Sequence, residues 1–294
     1  MIKPGNIFHN RQMHPGFRLI VAVAGALLIV GTLFWLLAPS QPATISNLDD
    51  SWVLKENRNG PVIGHLGGVP VAIPRPFAHF VEYDGDPHFM ERRKGPPPKR
   101  TYQSGLASFG FEIRYPDMAA LTDQTEPQKK TETIYTNTWL RVGIHANSIY
   151  GGDTALDAYI KAKIYRKNPY PPYRYEKLPE QFYSLTGYTP IGFDVSKRSG
   201  TGADYDDMNV YFHRTPDGTA DAYIECSNVE HAAAPCVLKF NTLPEMRMQV
   251  DVHFRKGLLP HWQEIRSSVK QVILGFRVNP SSASPSVPAV QAGK

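Results

Sequence analysis

The sequence predicts an α+β fold: an antiparallel sheet packed by a C-terminal amphipathic helix and preceded by a single transmembrane helix. Three stretches carry that expectation. Leu19–Ala38 (LIVAVAGALLIVGTLFWLLA) runs for twenty residues without a charge, the length a helix needs to cross a bilayer. In Met246–Phe254, Met246, Met248, Val250, Val252 and Phe254 alternate with Arg247, Gln249, Asp251 and His253. That is the period of a half-buried antiparallel strand. In Leu258–Phe276, Leu258, Trp262, Ile265, Val269, Val272, Ile273 and Phe276 recur at helical spacing, and Pro260 suits a first turn.

The N-terminal segment, residues 1–18, holds Lys3, Arg11 and Arg18, whereas no Lys or Arg follows the apolar run until Lys55. Positive charge stays on the cytoplasmic side of a membrane. Residues 1–18 are therefore expected in the cytoplasm, 19–38 as an uncleaved signal anchor in the inner membrane, and the rest in the periplasm. A cleaved signal peptide fits less well. Its apolar region is shorter, and Gln41-Pro42-Ala43 makes a poor cleavage site. Trp35 and Phe34 suit an interfacial anchor at the outer end.

Of 32 Lys and Arg, three precede the span, leaving 29 against 27 Asp and Glu in the outer part. That near-neutral balance argues against a nucleic-acid partner. The 26 prolines predict short elements and many loops. The only cysteines, Cys226 and Cys236, both fall on the outer side, where an oxidising compartment favours a disulfide.

Residues 39–60 read as a linker, and 61–277 as the periplasmic α+β domain. Val69–Ile73 is an apolar run between glycines and prolines, a strand. Asp84-Gly85 and Asp86-Pro87 are turn chemistry rather than a calcium loop. Arg92, Arg93 and Lys94, followed by Gly95 and three prolines, form a stiff basic loop. Leu106–Tyr115 and Trp139–His145 are strands, Phe109, Phe111, Ile113 and Tyr115 sharing a face, with a polar loop, DQTEPQKKTET, between them. Asp153–Tyr165 is a helix capped by Asp153 or Thr154, with Leu156, Tyr159, Ile160 and Ile164 on one face.

The stretch KNPYPPYRYEKLPEQFY is too rich in proline for a regular element and reads as a loop presenting Tyr170, Tyr173 and Tyr175, either outward or folded over the core. Strands follow at Met208–Phe212, at Ala220–Glu225 and just after Cys236, so that the disulfide clamps a hairpin. Residues 278–294 are a low-complexity tail without the means to bury a core.

No nucleophile elbow, zinc-protease motif, phosphate loop or dinucleotide fingerprint occurs. Histidines stand singly, and Asp204, Asp206 and Asp207 read as a solvated turn. The expectation is a protein without enzyme activity, cofactor or metal. An envelope enzyme with a site assembled from distant residues is an alternative, as is a scaffold component of an envelope or secretion complex.

GGVPVAIPRPFAHFVEYDGDP with ERRKGPPPKRTYQSGLASFGFEIRYPDM, and CSNVEHAAAPCVLKF with LLPHWQEIRSSVKQVILGF, resemble proteobacterial membrane-anchored proteins encoded near type VI secretion lipase effectors. The resemblance covers most of residues 66–277. It implies an immunity or accessory role, a binding protein that holds a secreted effector inactive, and supplies no site residues. The expected partner surface is the Pro-Tyr loop, with Tyr170, Tyr173 and Tyr175, or the basic segment, with Arg92, Arg93 and Lys94. Proline stiffens both, which lowers the entropy lost on binding, and Tyr and Arg are common hot-spot types. Oligomeric state is left open.

Overall fold

A computed structural model describes residues 60–87, 91, 93–165, 174–191 and 208–278. The apolar run 19–38, Arg92, Tyr170, Tyr173, the aspartates at 204, 206 and 207, and the tail beyond 278 lie outside the described residues. Among the described residues no helix is long and apolar enough to cross a membrane.

In chain order the elements are β1 (Val62–Leu66), β2 (Val69–Ile73), β3 (His79–Tyr83), β4 (Leu106–Arg114), β5 (Ala119–Ala120), α1 (Glu126–Thr131), β6 (Trp139–Ala146), α2 (Ala155–Ile164), β7 (Arg174–Lys177), β8 (Thr186–Ile191), β9 (Met208–Arg214), β10 (Ala220–Ser227), β11 (Pro235–Asn241), β12 (Met248–Arg255) and α3 (Trp262–Leu274). Strands β3 to β12 make one ten-stranded sheet ordered β3-β4-β6-β12-β11-β10-β9-β8-β7, with β5 beside β4. Every pairing is antiparallel.

α3 lies on one face of this sheet, as the sequence predicts. Trp262, Ile265, Val269 and Ile273 are fully buried against Phe111, Ile144, Leu238, Phe240, Val250 and Val252. At ~25 cal/mol per Å² of apolar surface, this dry layer is the main source of stability. The chain enters α3 through a 3-10 turn, Lys256–His261, which accommodates Pro260 because that turn has few inward N–H bonds to lose. The β1–β2 hairpin closes the same face. Gly67 and Gly68 both have positive φ, +53° and +89°, as a two-residue primed turn demands. Ala72 N–H and Val278 N–H bond Phe276 and Pro70, tying the hairpin to the end of α3.

On the opposite face α2 covers β9 and β10. Leu156, Ile160, Val210, Phe212, Ala220 and Tyr223 form a second, smaller core there. β9 is consequently buried on both sides: Val210 and Phe212 go under α2, and Tyr211 faces the main core. The alternation in its sequence marks the α2 side, not the main core.

Several expectations need correction. The polar stretch DQTEPQKKTET contains a helix, α1, whose first turn holds Pro127. The Pro-Tyr stretch contains strand β7, a charged edge strand paired with β8, because Arg174–Lys177 falls in the proline-free gap between Pro172 and Pro179. Thr154 takes the N-terminal cap position of α2 without a side-chain cap bond, and Asp153 instead accepts from the Tyr150 hydroxyl and pairs with Arg247. The outer side of β12 is not a solvent face: Gln249 and Asp251 are 4% and 9% exposed.

Candidate functional site

Cys226 and Cys236 stand directly opposite each other at the β10–β11 end and are joined by a disulfide, as the sequence predicts. Both are fully buried in the main core. The bridge closes the loop Ser227–Pro235 and holds the strands beside β12 in register.

The sheet face opposite α3 carries a polar patch that is buried along β12 and partly exposed along β4 and β6. α2 shields β9 and β10, and α1 lies near the other end of the sheet face, where Lys129 pairs with Glu112 and sits 5.9 Å from the Trp139 ring. Between them the outward residues of β4, β6 and β12 are Ser108, Gly110, Glu112, then Arg141, Gly143, His145, then Gln249, Asp251, His253. Register sets them in three rows across the sheet: Ser108, His145 and Gln249; Gly110, Gly143 and Asp251; Glu112, Arg141 and His253. Asp251 faces Lys239 on β11, which extends the middle row.

Asp251 is the hub. It pairs with the Lys239 ammonium, accepts from Gln249 Nε2 at 2.8 Å, and lies 3.6 Å from His145 Nε2. Tyr159 of α2 donates to Gln249 Oε1 at 3.2 Å. Burial pushes the Asp251 carboxyl up, but His145, Lys239 and Gln249 together outweigh it and bring it down to about 2. Beside the hub, His145, Ile149, Gly151, Tyr159, Lys239, Gln249 and Asp251 enclose a polar hollow of about 240 Å³. Held charged by these neighbours, the carboxylate is a weak base, so this arrangement fixes geometry. Among the described residues no group of three or more His, Cys, Asp or Glu is placed to hold a metal ion.

The basic segment is tied down. Arg93 and Arg100 both bond Asp86 Oδ1, at 2.7 and 2.5 Å, and Arg100 stacks 4.0 Å from the centre of the Tyr83 ring. Lys94 is exposed. Tyr175 is folded inward: its hydroxyl donates to the Met208 carbonyl at 3.0 Å and its ring packs on the second core. Of the six residues singled out in the sequence, Arg93, Lys94 and Tyr175 are described; Arg93 and Tyr175 are held by contacts within the fold, and Arg92, Tyr170 and Tyr173 lie outside the described residues. The polar face went unremarked in the sequence because its residues come from four strands, each reading as an ordinary solvent side.

No family model and no curated protein matches the chain. Among solved structures, it is similar to Smlt3025, an immunity protein of the Stenotrophomonas maltophilia type IV secretion system. The likeness covers 75% of this chain and 94% of that one, at 17% sequence identity and a TM-score of 0.47.

Proposed function

We propose that this protein is a membrane-anchored periplasmic binding protein that neutralises a secreted effector of the lipase class. The observation that carries this reading is the polar face. Strands β4 and β6 are packed on one side by a dry core and leave Ser108, Glu112, Arg141 and His145 partly or fully exposed on the other, a rigid platform that meets a partner with little ordering cost. The disulfide adds rigidity next to it. The resemblance of residues 66–277 to proteins encoded beside type VI lipase effectors supplies the partner class. The uncharged run Leu19–Ala38 with its basic inner flank supplies the location.

The test is co-expression. A periplasm-targeted lipase effector of a type VI secretion system should arrest growth alone, and the full chain should restore it and co-purify with it. Unrelieved arrest with no complex refutes the reading.

A further inference from the structure

Among the described residues, Trp139 is the only buried hydrophobic side chain larger than alanine that belongs to neither apolar core. It is 6% exposed. Alternation along β6 sends Leu140, Val142, Ile144 and Ala146 into the main core and turns Trp139 to the opposite face, the one that carries Arg141 and His145. Its surroundings there are polar. Arg114 stands opposite it on β4, with its guanidinium carbon 5.9 Å from the ring centre, and Lys129 Nζ of α1 lies at the same distance. Nε1 is buried, and no described residue accepts from it. A buried N–H without an acceptor costs free energy, and each such group calls for an explanation.

α1 is the weakly held part of that cover. It spans six residues and buries none of them. Polar, partly exposed contacts tie it to the sheet: Lys129 to Glu112, Gln128 to Arg114 and, just past its end, Glu132 to the Thr138 N–H at 2.7 Å. A segment without buried apolar contacts opens at low free energy. Ion pairs of this exposure weaken further with salt.

We propose that α1 is a lid over a masked binding residue. When a protein partner docks on this face, α1 lifts, and the Trp139 indole packs on the partner and donates Nε1–H to one of its backbone carbonyls. Naming that partner as the secreted effector rests on the function proposed above. An uncovered indole needs both an apolar contact and an acceptor, and a protein segment supplies the two together. Trp is also among the types most enriched at binding hot spots. While α1 is closed, the apparent affinity is reduced by the fraction of molecules that are open.

Hydrogen exchange of the full-length chain in amphipol, read by mass spectrometry, tests the lid without a partner. Peptides over residues 122–133 should exchange at least about tenfold faster than those of β12, and faster again in about 1 M NaCl. Lys129→Ala should reproduce the salt effect at low salt. Protection of that segment equal to that of β12, or unmoved by both salt and Lys129→Ala, overturns the lid. Titration with the lipase effector of the co-expression test reads the second half. Trp139→Phe should weaken binding by about tenfold or more, the scale of a lost hot spot, whereas Lys129→Ala should tighten it. A purely structural Trp139 gives no reason for that opposite sign. Lys129 is partly exposed and outside both cores, so its variant carries the test even if Trp139→Phe unfolds. An effector that binds both variants like wild type, or binds Lys129→Ala more weakly, overturns the masked residue while leaving the neutralising role intact. An effector that does not bind wild type overturns that role and the docking step with it, and exchange then decides the lid alone.

Discussion

Replacing Asp251 with Asn should flatten the acid limb of the stability curve. The Asp251 side chain is 12% exposed, so solvent screens its partners only weakly. Its carboxyl is held at about 2 against an ordinary value of 3.8. A carboxylate with a lower pKa folded than unfolded stabilises the fold above its unfolded value and loses that contribution as pH falls through its folded one. Each unit is ~1.4 kcal/mol, so Asp251 contributes about 2–2.5 kcal/mol above pH 4, fading between about pH 4 and pH 2. Asn keeps the shape but not the charge and leaves Lys239 with a neutral acceptor. Denaturant unfolding of both proteins at a series of pH values reads this directly. The wild-type advantage should shrink by about 2 kcal/mol between pH 5 and pH 2. Asp86 and Asp221 are also pulled down, by arginine pairs and, for Asp221, by His213 as well, but they are common to both proteins and cancel in the difference. A gap that stays constant over that range refutes the account of Asp251 as a charge held by its neighbours.

Changing Cys226 and Cys236 together to Ser should cost ~3 kcal/mol, the loop-entropy value for a separation of 10 residues, and unreduced peptide mapping of wild type should recover the linked pair. Trp262→Ala should cost ~3–5 kcal/mol and deplete the protein, because Trp262 is 1% exposed and its Nε1 donates to the Tyr183 carbonyl at 2.9 Å. Reporter fusions after residue 60 should be active with alkaline phosphatase and silent with a cytoplasmic reporter, and the reverse pattern would overturn the assigned orientation.

Much of the fold was legible because it obeys simple periods. β4, β6, β12 and α3 carry one clear apolar face each, and each turns that face to the main core. β1 was missed although Gly67-Gly68 is a hairpin signal, since Gly64 and His65 break its apolar run. β7 and β8 were missed for a different reason. β7 is the edge strand, RYEK, whose charges blunt aggregation and erase the strand signal together, and β8 beside it, TGYTPI, carries a glycine and a proline that break an apolar run. α1 contains no buried residue and so has no apolar stripe to read.

The site was illegible for a reason that lies in register. Asp251 reads along its strand as one polar residue among alternating ones, and nothing local distinguishes it from Arg247 or His253. Its burial depends on Lys239 twelve residues away, on His145 from another strand, and on Gln249, itself covered by Tyr159 of α2. The glycines pose the same problem. Gly110 reads as a flaw in a strand, and so does Gly143. Only the pairing of β4 with β6 sets them adjacent, and only the Cβ distances around Gly143 show that packing does not exclude a side chain. The tyrosines and arginines were conspicuous in sequence because they cluster along the chain. Yet Arg93 is spent on Asp86, and Tyr175 on Met208. A residue already satisfied by its own fold must break that contact before it meets a partner, and the cost is subtracted from the affinity. Arg141, alone in its stretch of sequence, is exposed and forms no ion pair with a described residue, so no such contact among them has to break before it meets a partner.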